Sequence, residues 1–351
     1  MSDTDVVILG GGIAGISLAG RLAGKTSVTL LEREPVLASH TTGRSAAIYT
    51  EMYGNEAVRR WSTESRPFFD HPPEGFADRP LLSPRPTLFI ARPEFTEALS
   101  KDLAAYPDVS RPVTLEEMYS RMPIIRRGIF ASAGEEPGSA DIDVHGLFEG
   151  FRRLAVHGGA TILTRQGVVG LDRTAKGWVV RTNTDKFTAR VVVNAAGAWA
   201  GSIGKLLGLG DRGLTPLRRT AVMIEPPEGV DISGWMHVND AGDAFYFKPD
   251  AGLILASPVD ETPSEPCDAQ PEEIDVATIA YNLEEALDLK VTRIRRKWAG
   301  LRTFTPDRTP LFEFDPAADG FFWLAGQGGY GLQTAPSLSS HAAVKVLAWL
   351  K

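Results

Sequence analysis

Asp5-Val6-Val7-Ile8-Leu9-Gly10-Gly11-Gly12-Ile13-Ala14-Gly15 changes character at its middle. Val6 to Leu9 is an unbroken apolar run, as in a strand buried on both faces of a parallel sheet. Gly10, Gly12 and Gly15 follow in G-x-G-x-x-G spacing, and a helix is expected from Ala14 to Ala23. The glycines have separate tasks: a tight turn, backbone approach to a pyrophosphate, and close packing of helix on strand. The helix N-terminus offers unpaired N–H groups and its positive dipole end to phosphate. A second strand, Ser27 to Leu31, ends at Glu32, placed to accept hydrogen bonds from an adenosine ribose and to repel a 2′-phosphate. This context fits a dinucleotide site better than a plain βαβ unit, and it disfavours NADP.

The 351 residues are enough for two domains, or for one large domain with an intimate second lobe. A formal charge of −7 without a basic cluster argues against nucleic acid as a main partner. No apolar run is long enough to span a bilayer, and a first strand so near Met1 leaves no room for a signal peptide. The single cysteine, Cys267, cannot form an internal disulfide, and a cytoplasmic location is expected. Cys267 lies in an acidic, proline-rich stretch from Glu261 to Glu273 and reads as a passive surface residue. No metal site is expected.

Past Glu32, the segment His40-Thr41-Thr42-Gly43-Arg44-Ser45-Ala46-Ala47 is small and hydroxyl-rich, which lets backbone pass close to a large flat ligand. Helices are expected from Glu56 to Phe69, Val144 to Val156 and Ile274 to Leu287, with two short ones between residues 94 and 127. Strands are expected at Thr87 to Ala91, Thr161 to Leu163, Gly167 to Asp172, Trp178 to Thr182 and Thr188 to Val193. The last runs into Asn194-Ala195-Ala196-Gly197-Ala198-Trp199, again small enough for close approach to a nucleotide. Further strands read at Arg219 to Ile224, Ala244 to Lys248, Gly252 to Ser257, Val291 to Gly300 and Phe321 to Ala325. The loop Gly326-Gln327-Gly328-Gly329-Tyr330-Gly331 then leads to a last helix from Thr334 to Leu350.

The order of these pieces, with Trp298-Ala299-Gly300-Leu301-Arg302, resembles the glycine/D-amino acid oxidase superfamily of FAD enzymes over essentially the whole chain. Within it the chain is similar to the bacterial D-arginine dehydrogenases. Leu81-Leu82-Ser83-Pro84-Arg85-Pro86, Lys248-Pro249-Asp250-Ala251-Gly252 and Gln327 to Gly331 carry that likeness. The resemblance implies an α/β fold with a Rossmann-like FAD-binding domain (1–77, 144–215 and 303–351). A discontinuous antiparallel-sheet substrate domain (78–143 and 216–302) would complete it. FAD would be held non-covalently, since nothing around Cys267 resembles an attachment site. The implied cofactor contacts are Gly10, Gly12, Ile13, Ala14, Gly15, Glu32 and Arg33, then His40, Thr41, Thr42, Gly43, Arg44, Ser45 and Ala46. Val168, Ala195, Ala196, Gly197, Trp199 and Gly300 follow, with Gln327, Gly328, Gly329, Tyr330, Gly331, Leu332, Gln333 and Thr334 at the last helix. That helix N-terminus suits the negative charge of a reduced flavin, with Gln333 and Thr334 as donors or caps.

The implied reaction is oxidation of an amino acid at Cα by hydride transfer to flavin N5, the imine hydrolysing to a 2-oxo acid and ammonia. Arginine's planar fork suits a substrate carboxylate. The resemblance assigns this clamp to Arg219 and Arg302, with Tyr53 and Tyr246 lining the site. Arg219 follows Arg218, so a solvated surface pair competes with that role, whereas Arg302 stands in an apolar context that disfavours an unpaired charge. The D-arginine dehydrogenases carry a glutamate after Pro-Arg-Pro where this chain has Thr87. His237 replaces a methionine, Asn239 a valine and Ile48 a histidine, and Gly329 completes the pocket. The pocket is therefore expected to lack negative charge, to hold one titratable imidazole, and to prefer neutral side chains. Glu51, on a lid between Thr50 and Tyr53, is the one residue placed to restore basic substrates. The electron acceptor is a quinone or carrier, or oxygen if the protein is an oxidase. A non-catalytic flavin-binding subunit and a plain NAD dehydrogenase are the readings from other classes.

Overall fold

Val6 to Leu9 are fully buried because strand Ser2–Leu9 lies inside an eight-stranded sheet, with neighbours on both sides and packing on both faces. The computed structural model describes residues 2–351. The strand pairs in parallel with Val28–Leu31 on one side and Lys186–Asn194 on the other. Thr161–Leu163 and Phe321–Ala325 extend the parallel part. The antiparallel strands Val168–Thr174, Gly177–Thr182 and Leu311–Phe314 finish the edges. Helices Ile13–Leu22, Val144–His157 and Gly331–Leu350 cover one face around a shared apolar core, and helix Ala200–Leu206 helps cover the other.

A nine-stranded sheet makes the second layer. Its order runs from the edge strand Thr262–Pro263 through Thr215–Ile224, Leu253–Ser257, Tyr246–Asp250, His237–Asp240, Thr87–Ala91 and Ser132–Glu136 to Arg111–Val113, with Ile294–Phe304 on Thr215–Ile224. Strand alternation divides its faces. Val222, Ile224, Val238, Phe247, Ile254 and Ala256 pack under helix Glu273–Ala286. Residues one position along, such as Met223, Tyr246 and Leu255, gather on the other face with Ala46 of the first lobe. The hydroxyl of Thr41 donates to Leu301 O (2.6 Å) and Arg44 donates to Ala299 O (2.9 Å) and Ala269 O (3.1 Å), tying the two layers together.

The mixed α/β architecture matches the sequence expectation, and several boundaries shift. The last helix starts at Gly331 rather than Thr334, and accepts Pro336 within its first turns. Ser132–Glu136 and His237–Asp240 are strands that alternation does not reveal, because buried Glu135, Glu136, His237 and Asp240 interrupt the apolar pattern. A small third sheet joins Ile48–Tyr49, Leu82–Pro84 and Ala140–Ile142 across the expected boundary at residue 77. No helix among the described residues is long and apolar enough to cross a membrane.

Candidate functional site

The glycine turn after the first strand is sterically compulsory. Gly10 has φ 109°, and a Cβ there would sit 2.4 Å from Ala195 O; one at Gly15 would sit 1.9 Å from Gly10 O. Gly12, extended, precedes the helix, and the Ile13 N–H donates to Thr42 Oγ1 at 3.0 Å. The Gly11 N–H donates to Glu32 Oε2 at 2.7 Å, and the Glu34 N–H to Glu32 Oε1 at 2.8 Å. The helix N-terminus is thus partly satisfied by the chain itself. The N–H groups of Gly12 and Ala14 find no acceptor among the described residues and stay available to phosphate. Two lone-pair positions of the buried Glu32 carboxylate remain for a ribose.

A cavity of about 540 Å³ runs from this turn, lined by Gly10, Gly12, Glu32, Arg33, His40, Thr41, Thr42, Arg44, Val168, Ala195, Ala196, Gly197, Trp199 and Gly300. At its outer end the Arg33 guanidinium lies 4.5 Å from the Trp199 ring centre, and His40 packs on the same indole at 4.7 Å. A Cβ at Gly197 would meet nothing within 4 Å, and one at Gly300 nothing nearer than 3.7 Å, so both glycines keep the wall thin where a ligand would lie. Cys267, read from sequence as a passive surface residue, lines this cavity, beside Ala269 and the exposed Asp268 that pairs with Arg44. Gly43 and Gly15 stand behind the walls and fix their shape; a Cβ on Gly43 would strike Ala38 O at 2.5 Å.

An inner cavity of about 120 Å³ shares Gly12, Thr41, Thr42, Arg44, Ala195, Gly197, Gly300 and Leu301 with the outer one, so the two are continuous. Its further lining includes Ile13, Ala14, Ser45, Ala46, Arg219, Tyr246, Arg302, Gln327, Gly328, Gly329, Gly331 and Leu332. Arg219 and Arg218 point to opposite faces of their strand. Arg218 joins Glu272 and Asp275 on the helix side, so the adjacent arginines are not a solvated pair. Arg219 is buried, donating from Nε to Asp260 O (2.8 Å) and from a terminal nitrogen to Glu261 (3.2 Å). Arg302 donates to the Tyr53 hydroxyl at 3.3 Å and forms no ion pair among the described residues. A Cβ on Gly329 would lie 3.0 Å from the Arg302 guanidinium and 3.1 Å from the Tyr53 hydroxyl, so the missing side chain leaves the space in front of both.

Burial, then the neighbouring Arg302, lowers the pKa of Arg219. Burial also opposes the charge on Arg302, but Tyr53, Tyr246, Tyr330 and Glu261 outweigh it and raise its pKa. Both guanidiniums stay charged, and together they make an anion-binding corner. Tyr330 stands behind Tyr53 (rings 4.8 Å apart), its hydroxyl pushed up to about 12 by burial first and Tyr53 next.

Several expected site residues lie off both cavities. Gln333 donates to Thr50 O (3.1 Å) and Ser62 Oγ (2.7 Å), and Thr334 donates to Tyr330 O (2.9 Å). Gln333 thus braces the last helix against residues 50–62, and Thr334 closes the first turn of that helix, instead of meeting a ligand. The Glu51 carboxylate accepts from Tyr49 (3.1 Å) and Thr63 (2.5 Å), which turns it away from the anion corner. Ile48 is paired with Asp141 in the small sheet. Thr87 and His237 are buried cross-strand partners, Oγ1 to Nδ1 3.2 Å, and Asn239 follows on the same strand. His237 packs edge-on behind Tyr246 at 5.7 Å. Burial, with Lys248 and Arg85 nearby, pushes its pKa down to about 3, so the expected titratable imidazole is neutral.

Two carboxylates escaped the sequence reading. Glu136, directly across the sheet from Thr87, is 2% exposed and accepts from the Thr50 hydroxyl (2.5 Å) and the N–H groups of Glu51 (2.7 Å) and Met52 (3.3 Å). A carboxyl group therefore sits one strand from Thr87, where none was expected, with burial raising its pKa. Nothing in Gly134-Glu135-Glu136-Pro137-Gly138 distinguishes it from an exposed turn. Glu261, at the start of the acidic, proline-rich stretch that holds Cys267, is the second.

A family described as DAO, FAD dependent oxidoreductase, matches residues 5–343. The chain is 22% identical over 344 residues to glycine oxidase of Geobacillus kaustophilus, covering 95% of this chain and 90% of that protein. It is 25% identical to FAD-dependent oxidoreductase domain-containing protein 1 of Xenopus laevis, covering 97% of this chain and 78% of the relative. With mitochondrial dimethylglycine dehydrogenase of Mus musculus it shares 25% identity, covering 93% of this chain but 40% of that protein. Among solved structures, glycine oxidase of G. kaustophilus superposes with a TM-score of 0.83 at 21% identity, covering 100% of this chain and 95% of the other. The FAD-bound L-α-glycerophosphate oxidase of Mycoplasma pneumoniae gives 0.86 at 20% identity, covering 99% and 96%.

Proposed function

This chain belongs to the DAO family of FAD-dependent oxidoreductases, and on that premise we propose that it oxidises the Cα–N bond of a D-amino acid with a neutral side chain. The observation that carries this reading is Arg302, charged, without a carboxylate partner, and facing the space left by Gly329 beside the Tyr53 hydroxyl. A substrate carboxylate fills that space and accepts from both groups. Tyr246 and Arg219 bound the opposite side, so the carboxylate is held from one direction and Cα is oriented.

The continuous cavities fit FAD: free N–H groups at Gly12 and Ala14, the Glu32 carboxylate, and glycines at 197 and 300 where a side chain would intrude. Bound there, FAD supplies the hydride acceptor. The imine product is released to water, which hydrolyses it to a 2-oxo acid and ammonia. No acidic side chain lines the inner cavity among the described residues, and that supports neutral over basic substrates. The D configuration rests on the sequence resemblance to the D-arginine dehydrogenases.

A second reading, an oxygen-using oxidase of glycine or an N-methylated amine, is favoured by the small inner volume and by the glycine oxidase likeness. An idle flavin-binding subunit would have no use for the Arg302–Tyr53 corner. The purified protein is titrated without oxygen with D- and L-amino acids and N-methylglycines, following the yellow absorbance. Bleaching by neutral D-amino acids is expected. Bleaching by none of the panel contradicts the reading, and bleaching confined to glycine and N-methylglycines selects the second.

A further inference from the structure

We propose that Glu261 sets the charge of the substrate corner, so that it accepts a ligand bearing one carboxylate and rejects a ligand bearing two; this deepens, and rests on, the clamp reading above. Arg219 and Arg302 line one small cavity with no acid in its wall among the described residues. Uncompensated, they would present two positive charges, a field suited to a dianion. Glu261 changes the count from outside the cavity. Its Oε1 lies 3.2 Å from the Arg219 guanidinium and 3.1 Å from that of Arg308, and Arg308 also takes Oε2.

Arg219 is thus held at two points, Asp260 O and Glu261. Arg302 has the Tyr53 hydroxyl and no carboxylate. Arg219 has a carboxylate in direct contact, and Arg302 feels the same carboxylate only through space. The carboxylates of Asp260 and Asp243 act on Arg219 through space and touch neither guanidinium. Asp260 accepts from the Thr220 N–H (2.7 Å) and hydroxyl (3.1 Å), and the exposed Asp243 is hydrogen-bonded to neither arginine. Arg308, exposed on the far side, fixes the Glu261 carboxylate against Arg219 rather than letting it swing into solvent. The Arg219 side chain is 6% exposed and that of Glu261 30%, so solvent and salt screen this pair in part.

The test uses the FAD-loaded protein and two unreactive three-carbon probes, propionate and malonate, with dissociation constants read from the flavin absorbance change. Glu261→Gln keeps the shape and removes the charge. It is expected to raise affinity for malonate relative to propionate by about tenfold. Arg308→Gln releases the Glu261 carboxylate from its anchor, so that it swings into solvent and bears less on Arg219, and shifts the preference the same way by a smaller factor. It also supplies the answer if Glu261→Gln does not fold. Unchanged relative affinities in the variants, with both probes binding, overturn the assignment to Glu261 and leave the clamp standing. Failure of the unaltered protein to respond to either probe overturns the clamp and this proposal with it.

Discussion

The two ends of the continuous cavity are built on opposite principles. The outer end is walled by backbone and short side chains: Gly10, Gly12, Ala195, Ala196, Gly197 and Gly300, with one carboxylate and one stacked indole as the main side-chain features. The inner end is walled by long charged and aromatic side chains from separate strands, Arg219, Tyr246 and Arg302, backed from outside the wall by Glu261, His237 and Tyr53. A backbone wall is specified by the room it leaves, and most of its side-chain hydrogen bonds are spent within the protein. A side-chain wall depends on its supports, and a change behind it alters the charge or position of a group that faces the ligand. The outer end should therefore respond to substitution in cofactor affinity alone, and the inner end in substrate handling alone.

Arg302→Met gives the largest expected effect and the sharpest test of that division. Loss of a charge-assisted, two-pronged carboxylate contact should lower kcat/KM by about 10²- to 10³-fold. FAD content, from the absorbance ratio of the purified variant, should be unchanged. A large loss of FAD would show that the two ends are not separable.

His237 tests the supports of the inner end. Its folded-state pKa of about 3 lies below the ordinary 6.5. Between those values the unfolded chain binds a proton that the folded chain refuses, so stability falls as pH falls below 6.5. At pH 5 the cost should be about 2 kcal/mol. His237→Gln should flatten the decline in Tm between pH 7 and pH 5. An equally steep decline in the variant would show that the imidazole is protonated in the fold.

Glu32→Ala should have the smallest effect, weakening FAD about tenfold through the lost ribose contact and the loosened Gly11 turn. The ranking of amino acids oxidised should stay the same. A reordered ranking would mean that the outer end reaches into substrate selection.

The same contrast explains what the sequence made legible. The outer end is written in neighbouring residues, because Gly10, Gly15 and Glu32 belong to one βαβ unit whose local geometry admits few alternatives. The large second sheet was visible as strands, and Arg219 and Arg302 were found through resemblance. Their partners were not, because Glu261 meets Arg219 from a loop 42 residues away and Glu136 meets Thr50 from 86 residues away. Pairing at that separation leaves no period or spacing to read. Glu51 shows the converse: its place beside Tyr53 in sequence suggested a pocket residue, and two hydroxyls from Tyr49 and Thr63 turn its carboxylate aside.

The central claim is an anion corner that orients an amino acid whose side chain meets no acid. Steady-state kcat/KM for a full panel of D-amino acids at neutral pH, with an artificial electron acceptor, tests it most directly. The highest values are expected for neutral side chains, with D-arginine and D-lysine well below them. A kcat/KM for D-arginine above that of every neutral D-amino acid would contradict it.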